Sequence, residues 1–340
     1  MADDVPAARA VRYSIEGRNV IVLAADDATD SISNSIRHRD PSVFLEFRDV
    51  APYVPEGTSV LDVGAHVGLA SAYFRSRGHR VVSFEASPAN AALLRAARDA
   101  NGFDRWTIVE AAVSDRAGTL QFVSDGPEGH IIDSNDPPFK STGNGTVSSV
   151  EAIDLDTWLD RAPEAQPVGF IKMDIEGAEL QAIGGAQRLL SGPDAPALFI
   201  ESNGHCLHWF GETPATLAAA LTRLGYHLFG VRSKRPLRPT SFYPIDPHAL
   251  QGRVCVNYFC VKDVAAFRAQ GARISAAPPG SAQLERDVLR TIRSDNPHER
   301  TYIARALGDY PEVVAAHPRI RSAWTAMAET TAPTPPPAAR

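Results

Sequence analysis

The 340-residue chain has little of several things. Cysteine is scarce: Cys206, Cys255 and Cys260 are the three. They make neither a disulfide framework nor a C-x-x-C zinc pair, so a reducing compartment, the cytoplasm, is expected. No apolar run approaches the roughly 18 to 20 residues of a membrane helix, so no membrane partner is expected. Positive charge is not in excess either, since 34 basic and 40 acidic residues leave a net charge of −6. Bulk charge therefore does not favour nucleic acid as a partner. The start, Met1 to Ala10, carries Asp3 and Asp4 and no apolar stretch, so no signal peptide is expected. There is no heptad or collagen-like period and no internal repeat, which excludes fibrous and solenoid architectures.

What is present is a globular composition, 44 % hydrophobic and 22 % charged, with length for about two domains. Residues 11–24 read as a β-hairpin around Glu16 and Gly17, and 42–50 as a short amphipathic helix. From Ser59 onward, strand-like runs at 59–63, 80–85, 107–113, 168–174 and 197–202 alternate with helical stretches at 68–77, 88–100, 177–190 and 213–224. Buried strands alternating with helices predict a doubly wound α/β sheet. The runs 226–232 and 253–262 have no helix between them, which predicts a closing antiparallel strand. The segment 233–252 reads as a loop bearing Lys234, Arg235 and Arg238. The Gly-, Ser- and Asp-rich stretch 124–148, with His130, Asp133 and Asp136, reads as a loop and candidate lid. Asn144-Gly145-Thr146 matches a glycosylation sequon, given no weight without a secretory signal.

The sharpest motif is Val60-Leu61-Asp62-Val63-Gly64-Ala65-His66-Val67-Gly68. A strand ends in an acid, a glycine-bearing turn follows, and a helix begins. Glycines there admit close backbone approach, and ligands of open α/β sheets bind at the carboxyl ends of strands. A dinucleotide fold would show G-x-G-x-x-G; the G-x-x-x-G spacing and the preceding carboxylate disfavour an NAD-dependent oxidoreductase. They suit a ligand presenting cationic and hydroxyl groups, as S-adenosylmethionine does. Glu85, ending the next strand, is placed to accept from ribose hydroxyls.

LDVGAHVG, SFEASPAN, VEAAVSDRAG, DLDTWL, IKMDIEGAEL and LFIES occur in this order. Together they resemble the FkbM family of S-adenosylmethionine-dependent methyltransferases. The likeness runs from about Ser59 to Asn203, more weakly to about Lys262, and DIEGAE is its most specific part. Two positions depart from the family pattern: His66 stands where Asn is usual, and Ala86 follows Glu85 where Pro is usual. The resemblance implies cofactor contacts from Asp62, Gly64, Ala65, His66, Gly68, Glu85 and Ala86. It places Glu110 or Ala111, with Asp115 nearby, on the adenine side. The acceptor it implies is small and hydroxylated, a sugar, a glycan end or a secondary metabolite.

Methyl transfer to a hydroxyl requires the partners to be held near attack distance and one proton to be removed. Candidate catalytic residues are Asp174 and Glu176 after the fourth core strand, and His205 and His208 after the fifth. Asp174 leads them, at a strand tip beside the methyl donor. The histidines could also hold a divalent metal with Asp174 and Glu201, but the metal-free reading is preferred. Glu179 is read as decorating or capping the helix start.

The expected architecture is α/β, a class I methyltransferase Rossmann-like seven-stranded sheet with one antiparallel strand. Its division is an N-terminal β-hairpin and helix extension (1–58), the methyltransferase domain (59–262), a helical C-terminal extension (263–330) and a flexible Pro/Ala tail (331–340). The tail helices could serve a homo-oligomer or another partner. The rival reading is a noncatalytic module of the same fold that binds a glycan or a partner enzyme. Nucleic-acid methylation is disfavoured, since no Asn-Pro-Pro-Tyr-like or Asp-Pro-Pro-Tyr-like motif follows the fourth strand.

Overall fold

The structure, a computed structural model, describes residues 7–26, 30–124, 129–132, 146–233, 239–275 and 280–331. Asp133, Asp136, Asn144, Gly145, Lys234, Arg235, Arg238 and the tail from 332 lie outside the described residues.

Strands β1 (Ala8–Ile15) and β2 (Arg18–Ala25) pair as the expected hairpin. Glu16 and Gly17 turn it with φ of 51° and 78°, the left-handed pair that suits the twist of a two-residue hairpin. The chain then runs through β3 (Ser59–Val63), β4 (Arg80–Phe84), β5 (Trp106–Val109), β6 (Ala112–Val113), β7 (Gly118–Ser124), β8 (His130–Ile132) and β9 (Thr146–Ile153). It continues through β10 (Val168–Met173), β11 (Ala197–Asn203), β12 (His227–Arg232), β13 (Ser241–Pro244) and β14 (Cys255–Val261).

The central sheet has the order β13-β12-β14-β11-β10-β3-β4-β5. From β11 to β5 all neighbours are parallel, and β14 runs antiparallel between β11 and β12. The sheet therefore has eight strands with two reversed, not the expected seven with one. The addition is β13, antiparallel along the free edge of β12, inside the segment read as a loop. Its proline content hid it, because an edge strand tolerates a proline that an inner strand would not.

Side chains alternate across the sheet, and the alternation builds two cores. Val60, Val81, Phe170 and Phe199 face one side, where Tyr73, Phe74, Leu93, Leu94 and the hairpin's Val20 and Val22 cover them. Leu61, Val82, Ile171 and Leu198 face the other, against Leu155, Ile183, Leu190 and Leu217. Helix Pro88–Asn101 starts on the Ser87 cap with proline in its first turn and stops at left-handed Gly102. Its Asn101 bonds both ways with the backbone of Ile21 at 2.8 and 2.7 Å, tying the hairpin to the sheet's flank.

Three further corrections concern the middle of the chain. The run 107–113 is two strands, β5 in the main sheet and β6 in a second sheet of order β6-β9-β7-β8. That second sheet takes up part of the stretch read as a loop, since His130–Ile132 pairs with Gln121–Val123 and strand resumes at Thr146. Single-residue alternation broken by Gly and Ser conceals such short strands. The helix expected over 177–190 is interrupted, forming Glu179–Gly184 and Gln187–Ser191.

Beyond β14, helices Ser281–Ile292, Pro297–Asp309, Pro311–Ala316 and Pro318–Thr331 share an apolar cluster with Leu250. Tyr302 anchors them, donating to the Gln251 carbonyl at 2.5 Å and packing on Gly204, where a Cβ would sit 2.2 Å from its ring. No described helix is long and apolar enough to cross a membrane.

Candidate active site

Asp62, Ser83 and Lys172 are in register on β3, β4 and β10 and point to one side. All three are buried. Asp62 Oδ2 accepts from the Ser71 backbone at 3.0 Å and its hydroxyl at 2.5 Å. The Ser71 and Ser83 hydroxyls lie 2.5 Å apart, and Trp106 Nε1 donates to Ser83 at 2.7 Å. Lys172 Nζ donates to the Gly64 carbonyl at 2.7 Å and lies 3.6 Å from Asp62 and 3.3 Å from Asp174. Burial works against the ammonium, but Asp174 and Asp62 outweigh it and raise its pKa. Asp62 thus holds the glycine loop to its sheet and does not line the crevice.

The glycines of that loop serve the protein itself. Gly64 has φ of 76°, and a Cβ there would fall 1.9 Å from the Asp174 carbonyl. At Gly68, φ 83°, a Cβ would meet Leu94 at 2.5 Å and Trp106 at 3.1 Å. The close approach expected toward a ligand is an approach of loop to strand β10 and to the packed helix.

A crevice opens at the carboxyl ends of β3, β4 and β10. Gly64, His66, Phe84, Glu85, Ala86, Ala111, Val113, Phe122, His130, Ile131, Asp174 and Glu176 are among its lining. Buried Glu85 accepts from the His66 N–H at 2.7 Å on Oε2 and from the Ser87 N–H at 2.8 Å on Oε1. Burial pushes its pKa up against those two bonds. His66 has φ of 50°, in the left-handed region that few residues with a side chain enter. Its Nε2 sits 3.3 Å from Oδ2 of buried Asp30. The Asp30 pKa falls to about 2: burial opposes the fall, and the bonds from His66 and Ser33 prevail.

At the other end, carboxylate oxygens of Asp174, Glu176 and Glu201 lie within 4.8 Å of one another. Glu176, at φ 52°, accepts from the Cys206 thiol at 3.0 Å, and Glu201 from the Cys255 thiol at 3.0 Å. Burial, then Asp174 and Glu176, push the Glu201 pKa well up. Glu179 is buried, and its Oε1 accepts from the N–H groups of Ile175 at 3.1 Å and Gly177 at 3.3 Å. It shapes the turn that carries Asp174 and Glu176, and it does so from the first residue of the helix rather than as its N-cap, which is Ala178. Three oxygen ligands at this spacing have the chemistry to hold a divalent cation.

Of the sequence candidates, Gly64, His66, Glu85, Ala86, Ala111, Asp174 and Glu176 come together in the crevice. Asp62, Ala65 and Gly68 stand behind it as support. Glu110 is exposed and pairs with Arg95 at 2.8 Å, and Asp115 is exposed beside Arg116, so neither lines the crevice. His205 packs its ring 4.4 Å from that of His298 and 5.1 Å from that of Trp209. Burial, with His298 and Arg305, lowers its pKa to about 4. His208 is exposed. Neither histidine belongs to the carboxylate group, which takes Glu176 in their place. The residues that reasoning from sequence missed are Phe122, in a segment assigned to no element, Ile131, hidden by reading its strand as a loop, and Ser71 and Ser83, which carry no motif.

The model of the methyltransferase FkbM domain matches residues 62–228, from the buried acid of the glycine loop to strand β12. The chain carries an FkbM-family methyltransferase domain. Every lining residue named above falls inside the FkbM domain, but some residues packed around the site do not: Asp30 precedes it, and Cys255, His298 and Tyr302 follow it. No curated protein matches the chain. Among solved structures, a TehB-like SAM-dependent methyltransferase from Corynebacterium glutamicum is 14% identical, covering 68% of this chain and 94% of its own, with a TM-score of 0.36. A SAM-dependent methyltransferase from Aquifex aeolicus is 13% identical over 68% of this chain and 98% of its own, TM-score 0.33. The Pyrococcus abyssi tRNA (uracil-54, C5)-methyltransferase in complex with S-adenosyl-L-homocysteine is 14% identical over 74% of this chain and 43% of its own, TM-score 0.37.

Proposed function

We propose that the protein is an S-adenosylmethionine-dependent O-methyltransferase acting on a hydroxyl of a sugar, glycan or secondary metabolite. One observation carries this reading: a single crevice has apolar walls, a backbone-anchored carboxylate at one end and paired carboxylates at the other. Phe84, Ala111, Val113, Phe122 and Ile131 suit the flat faces of an adenine. Each Glu85 oxygen takes one backbone N–H and keeps a lone pair for a ribose hydroxyl. Bound there, S-adenosylmethionine would supply an electrophilic methyl group on a sulfonium that needs no further activation.

The chain's own residues then have three tasks. The apolar walls exclude water. Asp174 orients the acceptor hydroxyl and accepts its proton, with Lys172 at 3.3 Å holding the carboxylate in place. Glu201 closes that end of the site, its carboxylate within 4.8 Å of those of Asp174 and Glu176. The reading needs no metal, because Lys172 already supplies a cation to Asp174. All three cysteines are free, in keeping with a cytoplasmic setting.

Calorimetric titration with S-adenosylmethionine, and release of S-adenosylhomocysteine over a panel of hydroxylated acceptors, test the reading. Glu85→Ala is expected to weaken binding about tenfold or more, the loss of charge-assisted hydrogen bonds. Asp174→Ala is expected to bind the cofactor and lose turnover. Unchanged affinity in the first variant, or a near wild-type rate in the second, overturns the assignment.

A further inference from the structure

The glycine loop is held by a residue that lies outside the methyltransferase domain. Asp30 precedes helix Ser31–Arg37 and is buried there. Its two oxygens are divided: Oδ1 accepts the Ser33 N–H at 2.8 Å, capping that helix, and Oδ2 meets His66 Nε2 at 3.3 Å. His66 is the one residue of the loop between Gly64 and Gly68 that is left-handed while carrying a side chain. Glycine adopts that conformation freely, whereas a residue with a Cβ, histidine included, does so less readily. That conformation aims the His66 N–H at Glu85 Oε2, 2.7 Å away.

We propose that Asp30 is a positioning residue for the nucleoside end of the crevice. Its carboxylate fixes the His66 ring, the ring holds the backbone left-handed, and the His66 N–H then sets the Glu85 carboxylate. This rests on the reading of the crevice as a site for S-adenosylmethionine, and it goes further in making the N-terminal segment part of that site.

A double-mutant cycle separates this from helix capping. S-adenosylmethionine affinity is measured by calorimetry on the full-length chain, the His66→Asn variant, the Asp30→Ala variant and the combination. Melting temperatures of all four report the lost cap, which affects both backgrounds alike. Asp30→Ala is expected to weaken binding about fivefold when His66 is present and to leave it unchanged in the His66→Asn background. Equal weakening in both backgrounds, or none in either, refutes the positioning role while leaving the cofactor reading intact. Absence of binding by the wild-type chain overturns the cofactor reading and this inference with it.

Discussion

Glu179 makes the turn behind Asp174 and Glu176 sensitive to pH. The residue is buried, and burial pushes its carboxyl up to about 7; the N–H groups of Ile175 and Gly177 oppose the rise and Asp174 adds to it. In the unfolded chain the same group titrates near 4.5. Between those values the folded state binds more protons than the unfolded one. Stability is therefore complete below the lower value, falls as pH rises, and levels off above the higher one. The gap corresponds to about 3 kcal/mol. Glu179→Gln keeps an oxygen for the two N–H groups and removes the titration, so any fixed cost of burying the amide is the same at every pH. Unfolding entropy near 2.1 cal/mol/K per residue makes about 3 kcal/mol equal to about 4 °C for a chain of 340 residues. Thermal melts of both proteins from about pH 4.5 to about pH 8 should show the variant gaining that margin on the wild type as pH rises. Parallel melting curves across the range refute the reasoning.

Two more predictions concern the loop's supports. Gly64→Ala places a Cβ 1.9 Å from the Asp174 carbonyl at a left-handed φ, so β3 and β10 have to separate. A loss of about 3 kcal/mol or more is expected, read as a fall in melting temperature or failure to fold; an unchanged melt contradicts the packing. Asp62→Ala strips a buried carboxylate from Lys172 and Ser71. It is expected to cost about 3 kcal/mol in chemical denaturation, so a variant as stable as wild type would show that Asp62 carries no such support.

The alternation of buried runs with helical stretches was legible in the sequence, and with it the parallel strands from β3 to β11 and the antiparallel direction of β14. Periodicity is a local property, so it survives without a tertiary context. The crevice carboxylates Glu85, Asp174 and Glu176 were legible for the same reason: strand ends can be read, and strand ends of such a sheet converge. The direction of each side chain was not. Asp62 and Glu85 look alike as acids closing successive strands. The β3 register with Lys172 and the position of helix Leu69–Ser76 bury the first, while the second reaches the crevice. Glu110 turns out to Arg95, and His205 turns to His298, because partners distant in sequence capture them. The short strands β6 to β9, the edge strand β13 and the Asp30–His66 link likewise exist through pairing at long range. Local pattern by itself determined the inner strands of the main sheet and the helices that alternate with them. Only the tertiary structure decided which polar groups meet, because that depends on register and on segments far along the chain.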